Sequence, residues 1–274
     1  MTTTAPTASI GVDAVRETRR SISLTDTAAQ SFSFAHRGLI KIARNPEQLF
    51  DVVLQPIIFT LMFTYIFGGA ISGDIAGYLP VIIPGILVQT VITASIVTGT
   101  QLREDMNKGV FDRFRALPIA RISPLAGALL ADVVRYLIAT VITFSVGVAM
   151  GWRPEPVGVL ASILLILVCS FAVSWIFALM GCIMKKASAV QGVSMLVLFP
   201  LTFMSNAFVP VDTMPGWLQS FVNVNPISHI VTAIRELCNE GHVGTHVVWS
   251  LVGAVVITAV FAPLAVRAYI RNAK

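Results

Sequence analysis

Charge is the scarcest feature of this sequence. Of 274 residues only 12% are charged, while 55% are hydrophobic; a soluble domain carries about 25% charge. Surface-to-volume scaling leaves no room, at this length, for a dry core able to absorb so much apolar surface. The bilayer must act as solvent for much of the chain. Cysteine is scarce as well, with three residues. Cys169 and Cys182 share one apolar stretch and Cys238 stands alone, so neither a disulfide framework nor a metal cluster is indicated. His242 and His246 lie four apart, but Gly244 sits between them and no acidic third ligand is well placed. No metal site is expected. The sequence lacks a GxxxxGK[ST] phosphate loop and any convincing Ser/His/Asp or paired-carboxylate arrangement. The chain is therefore expected to bind no cofactor and not to be an enzyme; an energy source must come from a partner. The first apolar run starts near residue 50, far later than in a signal peptide. The tail before it is expected to be retained in the cytoplasm.

What is present is a series of long apolar runs. Residues 1–26 are Thr/Ser/Ala-rich and read as a disordered tail. From 27 to 44 the pattern becomes helical, with Phe32, Ala35, Leu39 and Ile42 on one face and His36, Arg37, Lys41 and Arg44 supplying positive charge. Such a helix suits the headgroup region, or packs on a partner. A span needs roughly 20 mostly apolar residues. Six segments qualify, at about 49–67, 78–102, 123–150, 157–184, 187–208 and 247–268. The expected fold is an all-α integral membrane protein of six transmembrane helices. Of the 19 Lys and Arg, sixteen fall on the side that carries the N-terminus. The positive-inside rule then puts both termini, including 269–274, in the cytoplasm.

Three places carry possible function. The loop after the second span has Met106, Val110, Phe114 and Leu117 as an apolar stripe, with charged residues on the other faces and Pro118 as its stop. An exposed amphipathic helix over 103–117 is suited to a groove in another protein. In the third span, Asp132 and Arg135 are three apart and share a helix face; buried charges at such depth point to function or to a structural ion pair. The segment 209–246 holds two short stretches, Trp217–Val224 and Ile227–Leu237, neither long enough to span. They read as outer re-entrant or interfacial helices, a lid or exit vestibule.

The loop with Glu104, Gly109 and Leu117-Pro118, followed later by Phe208-Val-Pro210, Met214-Pro215-Gly-Trp217-Leu218 and Asn225-Pro226, resembles ABC type 2 exporter permeases. The likeness is to the daunorubicin/doxorubicin-resistance branch and covers nearly the whole chain past residue 28. It implies a transmembrane domain over 27–268 in the cell membrane, acting in multidrug efflux or antibiotic resistance. Two permeases, identical or paralogous, would pair with two separate cytosolic ATP-binding subunits, which would hold ATP and Mg. The contacts with those subunits would come from Arg37, Lys41 and Arg44 and from Glu104, Asp105, Gly109, Val110, Phe111, Arg113, Phe114, Leu117 and Pro118. Pro210, Pro215, Trp217, Asn225, Pro226, Arg235 and Glu236 would shape the outer gate. An amphipathic drug or lipid-like substrate would pass spans one, two and five, with Phe59, Phe63, Gln89, Thr93, Met195 and Phe199 as candidate lining. The alternatives are an ion-coupled secondary transporter and a non-transport assembly or immunity protein.

Overall fold

The computed structural model describes residues 24–43, 46–109 and 122–272. Among them are helices α1 (Leu24–Ala43), α2 (Pro46–Ser72), α3 (Ile75–Asn107), α4 (Ser123–Ala149), α5 (Pro156–Ile183) and α6 (Ala187–Phe203). A single 3-10 turn, Val211–Thr213, precedes α7 (Gly216–Val224), α8 (Pro226–Glu240) and α9 (Thr245–Asn272). Helix α1 begins at Leu24, three residues before the expected boundary. The side chain of Lys41, and the residues Arg44, Val110, Phe111, Arg113, Phe114, Leu117 and Pro118, lie outside the described residues.

Five helices are long and apolar enough to cross a bilayer: α2, α3, α4, α5 and α9. The fifth expected span, 187–208, is shorter than its apolar run. Helix α6 has 17 residues, about 25 Å at 1.5 Å per residue, and its last part was expected to reach 208. Residues 204–208 instead turn inward and pack. Tyr78 Oη donates to Phe208 O at 2.7 Å, and Asn206 Nδ2 donates to Thr232 Oγ1 at 2.7 Å. Gly85 lets this turn close on α3, because a Cβ there would lie 1.8 Å from Ala207 O.

The second span differs in the other direction. Helix α3 has 33 residues, about 50 Å, against a hydrocarbon core of about 30 Å. Residues 103–107, expected to open a separate helix, are its continuation. The helix stops where Gly109 adopts φ 65°, a conformation that costs glycine little. Helix α3 is also the hub of the molecule: α2, α4, α5, α6 and α8 all pack on it. Its buried residues Tyr78, Leu79, Ile82, Ile83, Ile86, Leu87 and Val88 centre the main apolar core. Helix α9 packs on α5 and α8, and much of its remaining surface, including Val255 and Val256, is exposed.

Helix α1 packs within the molecule through a face of small residues and leaves Phe32 of its apolar stripe exposed. Ser31 and Ala35 are buried while Phe32 is 74% exposed. Small residues decide this. A Cβ on Gly127 would sit 2.3 Å from Phe34 Cβ, and one on Gly38 would sit 2.7 Å from Ala131 Cβ, so α1 lies close against α4. Small residues let backbones approach where lipid offers no hydrophobic drive between helices.

The closest seam joins α5 to α8, where a Cβ on Gly158 would lie 1.7 Å from Leu237 O. Gly158→Val is expected to open this seam and lower the thermal midpoint by several degrees. Gly253→Ala, with no atom within 4 Å of the added Cβ, should be neutral or stabilise by up to about 1 kcal/mol. Unfolding of the detergent-solubilised chain, followed by tryptophan fluorescence, compares the two.

Candidate functional site: a polar cavity and an aromatic run between the spans

The sequence pair Asp132 and Arg135 does meet. Arg135 Nη2 lies 2.7 Å from Asp132 Oδ1, with both side chains almost fully buried. Thr98 of α3 donates its hydroxyl to Asp132 Oδ2. Arg135 Nη2 also donates to Ala94 O at 2.7 Å. Next to them, Tyr136 Oη and Ser174 Oγ are 2.9 Å apart. The pair thus fastens α4 to α3, and its neighbour reaches α5. Hydrocarbon makes bare charges costly, so pairing and hydrogen bonding are the condition for keeping them. Arg135 is not fully used, however. Its Nε and Nη1 have no hydrogen-bond partner.

Arg135 forms part of the wall of a cavity of about 320 Å³. Gln55 of α2, Thr90, Thr93 and Thr100 of α3, and Gln191 and Met195 of α6 share that wall. Helices α2 and α6 both pack on α3, and the cavity occupies the space over α3 between them. Residues four apart share a helix face, and two such rows converge here. On α2 the row is Gln55, Phe59, Phe63, Phe67; on α6 it is Gln191, Met195, Phe199, Phe203. Each begins with an amide and runs outward into aromatics. Phe59 stacks on Phe63 at 5.9 Å, Phe63 on Phe208 at 4.7 Å, Phe208 on Phe203 at 5.1 Å, and Phe203 on Phe199 at 4.3 Å between ring centres. Five rings therefore bridge the two helices above the polar cavity.

Of the expected lining residues, Thr93 and Met195 reach the cavity, and Phe59, Phe63 and Phe199 join the aromatic run. Gln89 is half-buried outside the cavity wall, its Oε1 without a partner. Sequence reasoning missed Gln55, Gln191, Phe203 and Phe208. The signal for the first three was present as the repeated spacing of four; Phe208 arrives only through the inward turn.

The outer segment is a set of backbone caps. Asn225 accepts from Ile227 N at 3.0 Å, starting α8, and its Nδ2 donates to Leu201 O at 2.7 Å and Met204 O at 3.2 Å, closing α6. Pro84 has no N–H for Pro80 O; Asn239 Nδ2 supplies one at 3.0 Å. Arg235 Nη2 donates to Val81 O and to Asn206 O, at 2.9 and 3.0 Å. Pro210 and Pro215 precede the 3-10 turn and α7, Pro226 opens α8, and Trp217 is 68% exposed, as suits an interfacial anchor. Glu236 Oε1 is 3.9 Å from His246 Nε2, and His229 Nδ1 faces His246 Nδ1 at 3.0 Å. Burial, then the neighbouring His246, holds the His229 imidazole below its ordinary pKa.

At the opposite end, Glu104 pairs with Lys108 at 3.4 Å on the exposed tip of α3, and Arg103 donates to Asn107 Oδ1 at 2.7 Å. Asp105 is half-buried beside them, and Arg37 is exposed on α1.

A polar cavity at membrane depth, an aromatic run leading from it and a charged tip beyond the bilayer define a multi-pass membrane transport subunit. The chain belongs to the ABC-2 type transporter family, whose model matches residues 29–238. It is 44% identical over 240 residues to the daunorubicin resistance ABC transporter permease protein DrrB1 of Streptomyces coeruleorubidus, covering 85% of this chain and 83% of that protein. It is 27% identical over 245 residues to the probable doxorubicin resistance ABC transporter permease protein DrrC of Mycobacterium tuberculosis, covering 87% of each. A putative transport permease, ycf38, of Cyanophora paradoxa is 27% identical over 211 residues, covering 75% of this chain and 73% of that protein. The chain is a permease subunit of an ABC exporter in the daunorubicin/doxorubicin-resistance branch. Neither the ion-coupled transporter nor the assembly-factor reading is favoured.

Asn225 serves two helix ends at once. Asn225→Ala should cost about 2–3 kcal/mol, combining a lost N-cap with carbonyls left unpaired. Asn225→Asp should not rescue it, since a carboxylate would face Leu201 O and Met204 O. Thermal unfolding of the two variants beside the parent checks the order.

Proposed function

We propose that this permease pairs with a second copy or a paralogue and with two cytosolic ATP-binding subunits, and that the assembly is an ATP-hydrolysing translocase of the cell membrane. The cargo is an amphipathic drug or lipid-like molecule, taken from the cytoplasm or inner leaflet. ATP and Mg belong to the partner subunits. The names of the daunorubicin and doxorubicin resistance relatives support a drug-like cargo.

The observation that carries this reading is the pair of rows on α2 and α6, amide at one end and apolar, mostly aromatic, along the rest. A polar cavity joined to an aromatic track suits a molecule with one polar and one apolar end. Tyr65 and Ile66 on α2, with Leu196, Val197 and Phe199 on α6, are exposed, which leaves apolar surface for a second permease across the track. The charged tip of α3, with Glu104 and Asp105, and the segment up to Pro118 form the handle for the ATP-binding subunit; Arg37, Lys41 and Arg44 add to it. Closure of the ATP-binding subunits moves this handle, and the permease pair rocks as rigid bodies. The segment 209–246, with Pro210, Pro215, Trp217, Asn225, Pro226, Arg235 and Glu236, is the outer gate. Both termini lie in the cytoplasm, as the distribution of Lys and Arg supports.

Purification of the native complex should bring down an ATP-binding subunit of separate sequence; a chain that always purifies alone, or that transports on an ion gradient without ATP, would overturn the reading. Glu104→Ala with Asp105→Ala, or Val110→Pro, should abolish export while the protein stays in the membrane. The three native cysteines are buried, so orientation can be read cleanly. D74C should react with an impermeant thiol reagent in intact cells and K108C should not.

A further inference from the structure

We propose that a cleft walled by α5, α7, α8 and α9 is a lipid site, which holds an acyl chain of a phospholipid from the leaflet on the side of α7 and α8. The cleft shares no lining residue with the polar cavity between α2 and α6, and the inference goes beyond the export reading.

The cleft has a volume of about 490 Å³. On α9 its wall carries Trp249, Gly253 and Ile257, four apart and so on one helix face. Gly253 interrupts that bulky row, with no atom within 4 Å of a Cβ added there. Cys169 of α5 and Ile230 of α8, both buried, close the far side. Helix α7 packs on α8 and on the 3-10 turn, and its Asn223 edges the cleft.

Polarity changes along the length. His229 and Asn223 mark the mouth, at the level where His229 Nδ1 meets His246 Nδ1 near the start of α9. From Trp249 to Ile257 the cleft then follows α9 for about 12 Å at 1.5 Å per residue. The polar groups on this stretch are satisfied within the protein. Ser250 Oγ donates to His246 O at 2.8 Å, and Cys169 Sγ donates to Ser250 O at 3.8 Å. Among the described residues no Asp, Glu, Lys or Arg lines the cleft.

These facts select the occupant. A water at that depth needs about two to four polar partners, and the lower wall offers none. A helix about 10 Å across and as long as the cleft would need roughly twice its volume. An empty cleft would forfeit dispersion contacts along both walls. The cleft continues the apolar surface that α9 exposes at Val252, Val255 and Val256, so hydrocarbon chains reach it directly. A chain lying along Gly253 brings its polar end out at His229 and Asn223 and packs α7 and α8 against α9. With no charge in the wall, the chain is recognised and the charge of the head group is not.

The test uses the full-length permease in phosphatidylcholine vesicles with a trace of phosphatidylcholine that carries a diazirine midway along one chain. After photolysis, tandem mass spectrometry should find adducts at Cys169, Gly253 and Ile257 at least fivefold above those at Val255 and Val256. Equal yields on the two faces, as a simple annular shell gives, would overturn the proposal. So would labelling of Val255 and Val256 alone, the pattern of a cleft covered by a partner protein or a second copy. Gly253→Leu fills the cleft and should cut the adducts at Cys169 and Ile257 at least fivefold, with Val255 and Val256 unchanged; cleft labelling that survives it would sink the idea. The same chain under a phosphoglycerol head should label the cleft within twofold, and a tenfold preference for either head would refute recognition by the chain. A readout free of crosslinking is the thermal midpoint of lipid-stripped protein in detergent. Added phosphatidylcholine should raise it by several degrees in the parent and by much less in Gly253→Leu; an equal rise in both counts against the site.

Discussion

Hydrocarbon supplies no hydrogen bonds, so a span that contains proline must find a donor elsewhere in the protein for each carbonyl it frees. Helix α3 meets this demand at Pro84, whose missing N–H is replaced for Pro80 O by Asn239, while Arg235 serves Val81 O one turn away. The end of helix α6 poses the same demand without a proline, and there Asn225 holds two terminal carbonyls. All three side chains belong to α8 or its cap. The outer segment is thus fixed to the spans by side chain–backbone bonds, and the inward turn at 204–208 depends on the same helix through Thr232 and Arg235.

That turn has a consequence for the path. By ending α6 early it brings Phe208 between Phe63 and Phe203, completing a ring contact from α2 to α6. The aromatic run therefore rests on the caps of α8 as much as on its own packing. Movement of the outer segment would be felt at the aromatic end, and movement of α3 at the polar end, because the cavity wall is largely α3. A helix long enough to leave the bilayer carries its charged tip and the Thr90–Thr100 wall as one rigid piece.

Much of the fold was legible because its cause is local. Five of the six apolar runs form helices long enough to span and the other forms the shorter α6, since transfer to lipid depends on the composition of each run alone. The Asp132–Arg135 contact was legible for the same reason: three residues in a helix set their own separation. The candidate path was half legible. Thr93, Met195 and the phenylalanines stood out by residue type, but Gln55 and Gln191 did not, because an amide in a span is informative only once its helix neighbours are known. The face by which α1 packs on α4 was not legible, because it rests on Gly38 of α1 and Gly127 of α4, whose missing side chains allow close approach, a signal that apolar periodicity does not count.

The sequence by itself determined an all-helical multi-pass membrane protein and the family to which it belongs, because hydropathy and motif order are properties of the chain. Tertiary structure alone decided where α6 stops, that 103–107 prolong α3, and that Asn225 closes one helix while opening another. It also decided that Arg135 fastens α4 to α3 beside a cavity. Each of these depends on which carbonyl, ring or carboxylate another helix brings within about 3–5 Å, at hydrogen-bonding or ring-stacking range, and no local spacing encodes that.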